Sequence, residues 1–95
     1  MVAQQLHHRR DAILRIAAKH GATNVRVFGS VARGEAGPAS DLDLLVDMEP
    51  GRSLFDLGEL MSDLRNLLGC NVDVLTESSI YWLLRRRILR EARPL

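Results

Sequence analysis

Two aspartates open one of the most apolar stretches of this chain, Ser40-Asp41-Leu42-Asp43-Leu44-Leu45-Val46. Asp is disfavoured in strands, yet the run from Asp41 to Met48 otherwise reads as one. Leu42, Leu44 and Val46 share one face, and Asp41, Asp43, Leu45 and Asp47 share the other. A strand rises ~3.3 Å per residue, so the Cα atoms of Asp41 and Asp43 lie ~6.5–7 Å apart with both side chains on the same side. Two anions held that close repel unless a cation compensates them. A divalent ion with oxygen ligands, Mg²⁺ or Mn²⁺, is the simplest choice. An isolated Asp-x-Asp reads more simply as a solvated edge-strand face. Asp73 shifts the balance: it sits between Val72 and Val74 in the next apolar segment, across a helical crossover, and is expected to project beside the first pair. Three carboxylates on one patch predict a metal site.

The rest of the chain supplies the frame for that strand. The first twenty residues read as one helix, with Leu6, Ile13, Leu14 and Ala17 on a face and Gly21 as the left-handed stop. Asn24–Phe28 alternates as a short strand, and Ser30–Glu35 reads as a helical turn. Ser53 caps an amphipathic helix carrying Leu57, Leu60, Met61, Leu64, Leu67 and Leu68, closed by Gly69. Asn71–Leu75 is a third strand. A last helix begins at Ser78 or Ser79, with Ile80, Leu84 and Ile88 in its apolar row and Leu83 beside it, and ends before Pro94. Strands joined by helical crossovers define an α/β layer in which the second and third strands run parallel.

At 95 residues with 46% apolar and 26% charged, the chain has room for a single domain, residues 1–95, with one modest core. A large substrate must then be met by a surface or by a partner. A net charge of +1 marks no nucleic-acid or membrane binder. The single cysteine, Cys70, excludes an internal disulfide and a multi-thiolate zinc site, and reads as a small buried apolar residue entering a strand. No transmembrane or signal-type apolar segment is visible, so a cytoplasmic location is expected.

Gly29-Ser30 complements the acids. A strand that ends in Gly-Ser and runs into a helical turn exposes backbone N–H groups and a hydroxyl, an arrangement that binds phosphate. Gly29 lets the backbone approach without Cβ interference. As a dipeptide it is an ordinary strand-to-helix turn; followed at short distance by Asp41-x-Asp43 and then Asp73, it becomes part of a joint pattern.

Gly29-Ser30-Val31-Ala32-Arg33-Gly34-Glu35, Ser40–Val46 and Asp73-Val74-Leu75 together resemble the minimal nucleotidyltransferase (MNT) domain of the DNA-polymerase-β-like superfamily. More narrowly, they are similar to the antitoxins of HEPN/MNT toxin–antitoxin pairs. The motif core covers residues 25–75, and Ile88-Leu89-Arg90-Glu91-Ala92 resembles the family's last helix. The resemblance implies a small nucleotidyltransferase fold, a short mixed β-sheet packed against helices. It also implies that Asp41, Asp43 and Asp73 bind two Mg²⁺ ions and carry catalysis, with Asp73 helping to deprotonate the attacking hydroxyl. Gly29 and Ser30 would hold the β- and γ-phosphates of ATP. The implied reaction moves AMP onto a hydroxyl, a tyrosine, of a partner HEPN ribonuclease toxin, and so neutralises it within a hetero-oligomer. Two rivals stand beside it: an antitoxin that acts by docking alone, and a transferase acting on RNA or a small molecule. The last of these generally needs a further domain.

Several residues have plainer readings. Arg33 follows the Gly-Ser turn closely enough to touch phosphate, or to pair with Glu35 or Asp47. Glu35 reads as structural or solvated. His7, His8 and His20 read as a solvated face of the first helix, since adjacent His7 and His8 point in different directions and chelate poorly. Arg85-Arg86-Arg87, with Arg90 and Arg93, reads as a helix face toward solvent or an acidic partner; nucleic acid is not expected there. Tyr81 and Trp82 suit either an interface or the core.

Overall fold

Alternation along β2 (Leu42–Met48) sorts the molecule into two layers. Leu42, Leu44 and Val46 are buried on one face of the sheet, where they meet Ile13 and Ala17 of α2 (Arg10–Lys19) and Leu57, Leu60 and Leu64 of α4 (Leu54–Leu68). Leu45 points to the opposite face and packs with Phe28, Ile80 and Ile88. Asp43 shares the face of Leu45 by the same alternation. The computed structural model describes the whole chain, Met1–Leu95.

The remaining elements are α1 (Ala3–His8), β1 (Ala22–Phe28), α3 (Gly29–Ala32), β3 (Val72–Leu75), a 3₁₀ turn at Glu77–Ser79, α5 (Trp82–Glu91) and β4 (Arg93–Pro94). The sheet runs in the order β3-β2-β1-β4 and is mixed. β1 is antiparallel to β2 and to β4, and β2 is parallel to β3 across the α4 crossover, as expected. The register shifts between Thr23 and Arg26, where Asn24 takes a positive φ of 49°, a conformation Asn tolerates. Ser53 caps α4 through the Phe55 N–H, and Asp56 accepts from the Ser53 N–H at 2.8 Å, a closed capping box. Gly69 ends α4 in the left-handed region at φ 67°. No helix is long and apolar enough to cross a membrane.

Five expectations are corrected. The N-terminal helix is two helices. They break at Arg9, whose N–H is shared between the Gln5 and Leu6 carbonyls and so tightens the last turn of α1. The last helix begins at Trp82, not at Ser78 or Ser79, which lie in the 3₁₀ turn; it ends ahead of Pro94 as expected, and Arg93 and Pro94 then pair with β1 as an edge strand, where the missing proline N–H is tolerated. Leu83 and Leu84 are not in the core, being 61% and 46% exposed; α5 is anchored by the buried Ile88 with Leu89 partly buried beside it, and Ile80 is buried just before the helix. His20 is not solvated. It ends α2 turned toward α4, is buried, and bonds Asp63 at 2.6 Å. Cys70 is only partly buried, in the bend before β3.

Candidate active site

β1 ends at Phe28, which pairs in register with Asp43 of β2. The chain then turns sharply: Phe28 is extended and Gly29 takes φ 75° to start α3. A Cβ on Gly29 would overlap the Asp43 carboxylate, so the Gly29 backbone lies directly against the acid. This contact joins the Gly-Ser turn to the acidic strand. Only a glycine combines the left-handed φ with that approach.

Asp43 is in turn the register partner of Asp73 on β3, which puts both acids on the same face. Asp41 lies just ahead of β2 and is exposed. The loop before it is tied by Ser40, whose hydroxyl accepts from the Gly37 N–H at 2.9 Å. Burial pushes the Asp43 carboxyl above the ordinary range, and the Asp73 and Asp41 charges push it the same way; Arg33 offsets only part of this. Asp73 has a basic neighbour, Arg65, at 3.8 Å. The three acids thus gather at one end of the sheet, but as oriented they do not close on a single point as a three-ligand cluster. Mg²⁺ is commonly held by one or two carboxylates, with substrate phosphates supplying further oxygens. The all-oxygen set of Asp41 and Asp43, beside the Gly29-Ser30 turn, fits that mode.

Asp43 stands between two clefts. One, of about 420 Å³, is lined by Gly29, Ser30, Arg33, Asp41 and Asp43 together with Arg87 and Glu91 of α5. The other, of about 440 Å³, contains Asp43 and Asp73 among apolar walls that include Met61, Val74 and Leu75. Phe28, Leu84 and Ile88 line both.

Arg33 pairs with Glu35 at 3.1 Å and with Glu91 at 3.0 Å. It does not pair with Asp47, which Arg26 engages at 3.0 Å. Glu91 and Arg87 were not expected at this site. Their i, i+4 spacing marks a helix-surface ion pair, and nothing in the order of residues says which cleft the helix borders.

The family model described as a nucleotidyltransferase domain matches residues 10–95. The chain belongs to that family, and its fold is the small nucleotidyltransferase fold with a four-stranded mixed sheet. Its relatives narrow the class. A candidate protein adenylyltransferase of Methanocaldococcus jannaschii is 49% identical over 80 residues, spanning 84% of this chain and 86% of that one. The protein adenylyltransferase MntA of Thermococcus cleftensis is 42% identical over 73 residues, 77% of this chain and 74% of its own. A solved structure described as a candidate minimal nucleotidyltransferase matches with a TM-score of 0.86 and 53% identity, covering 100% of this chain and 97% of that one. At the level of fold alone, the chain matches a toxin–antitoxin complex with AMP-PNP, with a TM-score of 0.75 and 20% identity over 88% of this chain and 69% of that one. It likewise matches a complex of a tri-AMPylated Shewanella oneidensis HEPN toxin with its MNT antitoxin, with a TM-score of 0.70 and 17% identity over 93% of this chain and 69% of that one. The resemblance to the nucleotidyltransferase family drawn from the motifs is borne out by the family match and by these relatives.

Proposed function

We propose that this chain is a metal-dependent protein adenylyltransferase that moves AMP from ATP onto a hydroxyl, a tyrosine, of a partner HEPN-type toxin and thereby neutralises it. The observation that carries this reading is the position of Asp43 between two clefts. One cleft has the Gly29-Ser30 turn and room for a triphosphate. The other has Asp73 and apolar walls suited to an aromatic acceptor. The names of the M. jannaschii and T. cleftensis relatives support protein adenylylation, and the fold likeness to toxin–antitoxin complexes supports the partner.

In this reading Gly29 and Ser30 orient the β- and γ-phosphates, so that the α-phosphate lies above Asp43. The acceptor hydroxyl approaches from the second cleft, and Asp73 takes its proton as the oxygen attacks the α-phosphorus. The bond from that phosphorus to the bridging oxygen breaks, and pyrophosphate leaves. Divalent ions held by Asp41, Asp43 and Asp73 would neutralise charge on the attacking and leaving oxygens. Positioning and charge neutralisation supply most of the catalysis in such transfers, so a domain of this size suffices.

The test is incubation with a HEPN-type toxin, Mg²⁺ and ATP labelled in the α-phosphate. Label appears on the toxin with the wild-type chain, disappears with EDTA, and disappears with Asp43→Ala. Equal labelling by Asp43→Ala sinks the reading. A second reading, neutralisation by docking alone, is favoured by the exposed Tyr81, Trp82 and Leu83 at 59%, 74% and 61%. It predicts that Asp41→Ala/Asp43→Ala still protects cells fully.

A further inference from the structure

The Glu91 carboxylate sits inside the cleft assigned to the nucleotide, in a set of donors suited to an anion. It accepts from the Gly29 N–H at 3.3 Å, from Arg33 Nη1 at 3.0 and 3.2 Å, and from Arg87 Nε at 3.1 Å. Its side chain is 16% exposed, whereas Arg33 and Arg87 are 32% and 64% exposed. The acid is therefore the enclosed partner, and the two guanidiniums reach in from the rim. Burial alone pushes the Glu91 carboxyl up, but the bonds from Arg87, Arg33 and Gly29 outweigh it and hold the group below the ordinary range.

Two guanidiniums and a backbone N–H converging on one oxyanion form the donor set that a phosphate takes. Such bonds are charge-assisted, and the planar fork of arginine suits phosphate oxygens as well as carboxylate oxygens. A triphosphate lying along Gly29-Ser30 brings further negative charge to the same donors. Glu91 and a phosphate cannot both use them. Ile88 anchors α5 in the core one turn earlier, so a side-chain rotation of Glu91 frees the donors without moving the helix.

We propose that Arg87 is a phosphate-binding residue of the nucleotide site, acting with Arg33, and that Glu91 is an internal anion that holds both guanidiniums in place until a phosphate displaces it. This rests on the nucleotidyltransferase reading of the cleft. Glu91 acts in two opposed ways: it pre-orders two flexible arginines, and it competes with the ligand for them. Glu91→Gln keeps the shape and one acceptor oxygen while removing the charge, so competition falls more than order does.

Calorimetric titration with Mg²⁺–ATP, and separately with inorganic tripolyphosphate plus Mg²⁺, tests this on the wild type, Glu91→Gln, Arg87→Ala and the double variant. Arg87→Ala is expected to weaken both ligands by on the order of tenfold. Glu91→Gln is expected to tighten both several-fold, and that gain shrinks when Arg87 is absent. A purely structural role for Glu91 predicts weaker binding and an earlier melt instead. Unchanged affinity in Arg87→Ala, or weakened affinity in a folded Glu91→Gln, overturns the proposal. If Glu91→Gln melts early, Arg87→Ala, whose side chain is 64% exposed, decides alone once its own melt matches the wild type. Wild type that binds ATP with no change in the variants overturns this proposal only; wild type that binds neither ligand overturns the nucleotide reading with it.

Discussion

Asp43 and Asp73 are register partners on neighbouring parallel strands, with both carboxylates on the sheet face that α5 covers at one end. The first is half-buried and faces the Gly29 backbone; the second is more open and has Arg65 nearby. The two neighbouring acids therefore sit in unequal surroundings.

Asp43→Asn separates function from stability. Transfer falls by on the order of a hundredfold or more, as when a group that stabilises transition-state charge is lost. The variant melts at or above the wild-type temperature. Burial and two neighbouring acids raise the Asp43 pKa in the folded state. Its contribution to folding is therefore complete below the unfolded pKa and lost as pH rises through the folded value, so an uncharged amide avoids that loss at pH 7. Label transfer and a thermal melt, run on one preparation, check both halves.

Gly29→Ala meets two obstacles together, a φ of 75° and overlap of the new Cβ with Asp43. The left-handed conformation alone costs about 1–2 kcal/mol. Gly34→Ala shares the positive φ, 73°, but has nothing within 4 Å of the added atom. Urea denaturation should show both variants destabilised, Gly29→Ala more so. Only Gly29→Ala should lose transfer.

Asp63→Ala removes the partner of the buried His20 ring, bonded at 2.6 Å. Leaving a buried polar group unpaired costs about 1–3 kcal/mol. A lower denaturation midpoint with transfer intact is expected, because this pair links α2 to α4 on the far side of the sheet from Asp43. Lost transfer in a folded variant contradicts that separation.

The α4 capping box gives the fold an acid-sensitive element. The Ser53 N–H bond, aided by Arg52, holds the Asp56 carboxyl below its ordinary range. A depressed carboxylate stabilises the folded state above its unfolded pKa, near pH 4, and that stability is lost as pH falls through the folded value. Asp56→Asn should flatten the acid limb of a stability-versus-pH curve, and Ser53→Ala should cost ~1 kcal/mol at neutral pH.

Local order carried a good deal of this molecule. Leu57, Leu60 and Leu64 on one stripe, with Ser53 before and Gly69 after, marked α4 closely, because caps and periodicity are written in adjacent residues. Alternation from Leu42 to Val46 marked β2 and told its two faces apart. Leu84 misled for the opposite reason. Its spacing from Ile80 and Ile88 fits a helical row, yet Ile80 precedes the helix, and α5 lies against Phe28 and Leu45 through Ile88, with Leu89 partly buried beside it, while Leu84 stays largely open.

The amino-acid order by itself determined that Asp43 and Asp73 would each sit between apolar neighbours of a strand, with Asp41 two residues ahead of Asp43, and that Gly29-Ser30 would end a strand. Strand period and turn chemistry depend on neighbours in the chain. Only the tertiary structure decided that Gly29 presses on Asp43, that Asp43 stands between two clefts, and that Glu91 reaches back from the last helix to hold Gly29, Arg33 and Arg87. These contacts join residues far apart in the chain, and they depend on where α5 comes to rest against the sheet, which no local pattern specifies.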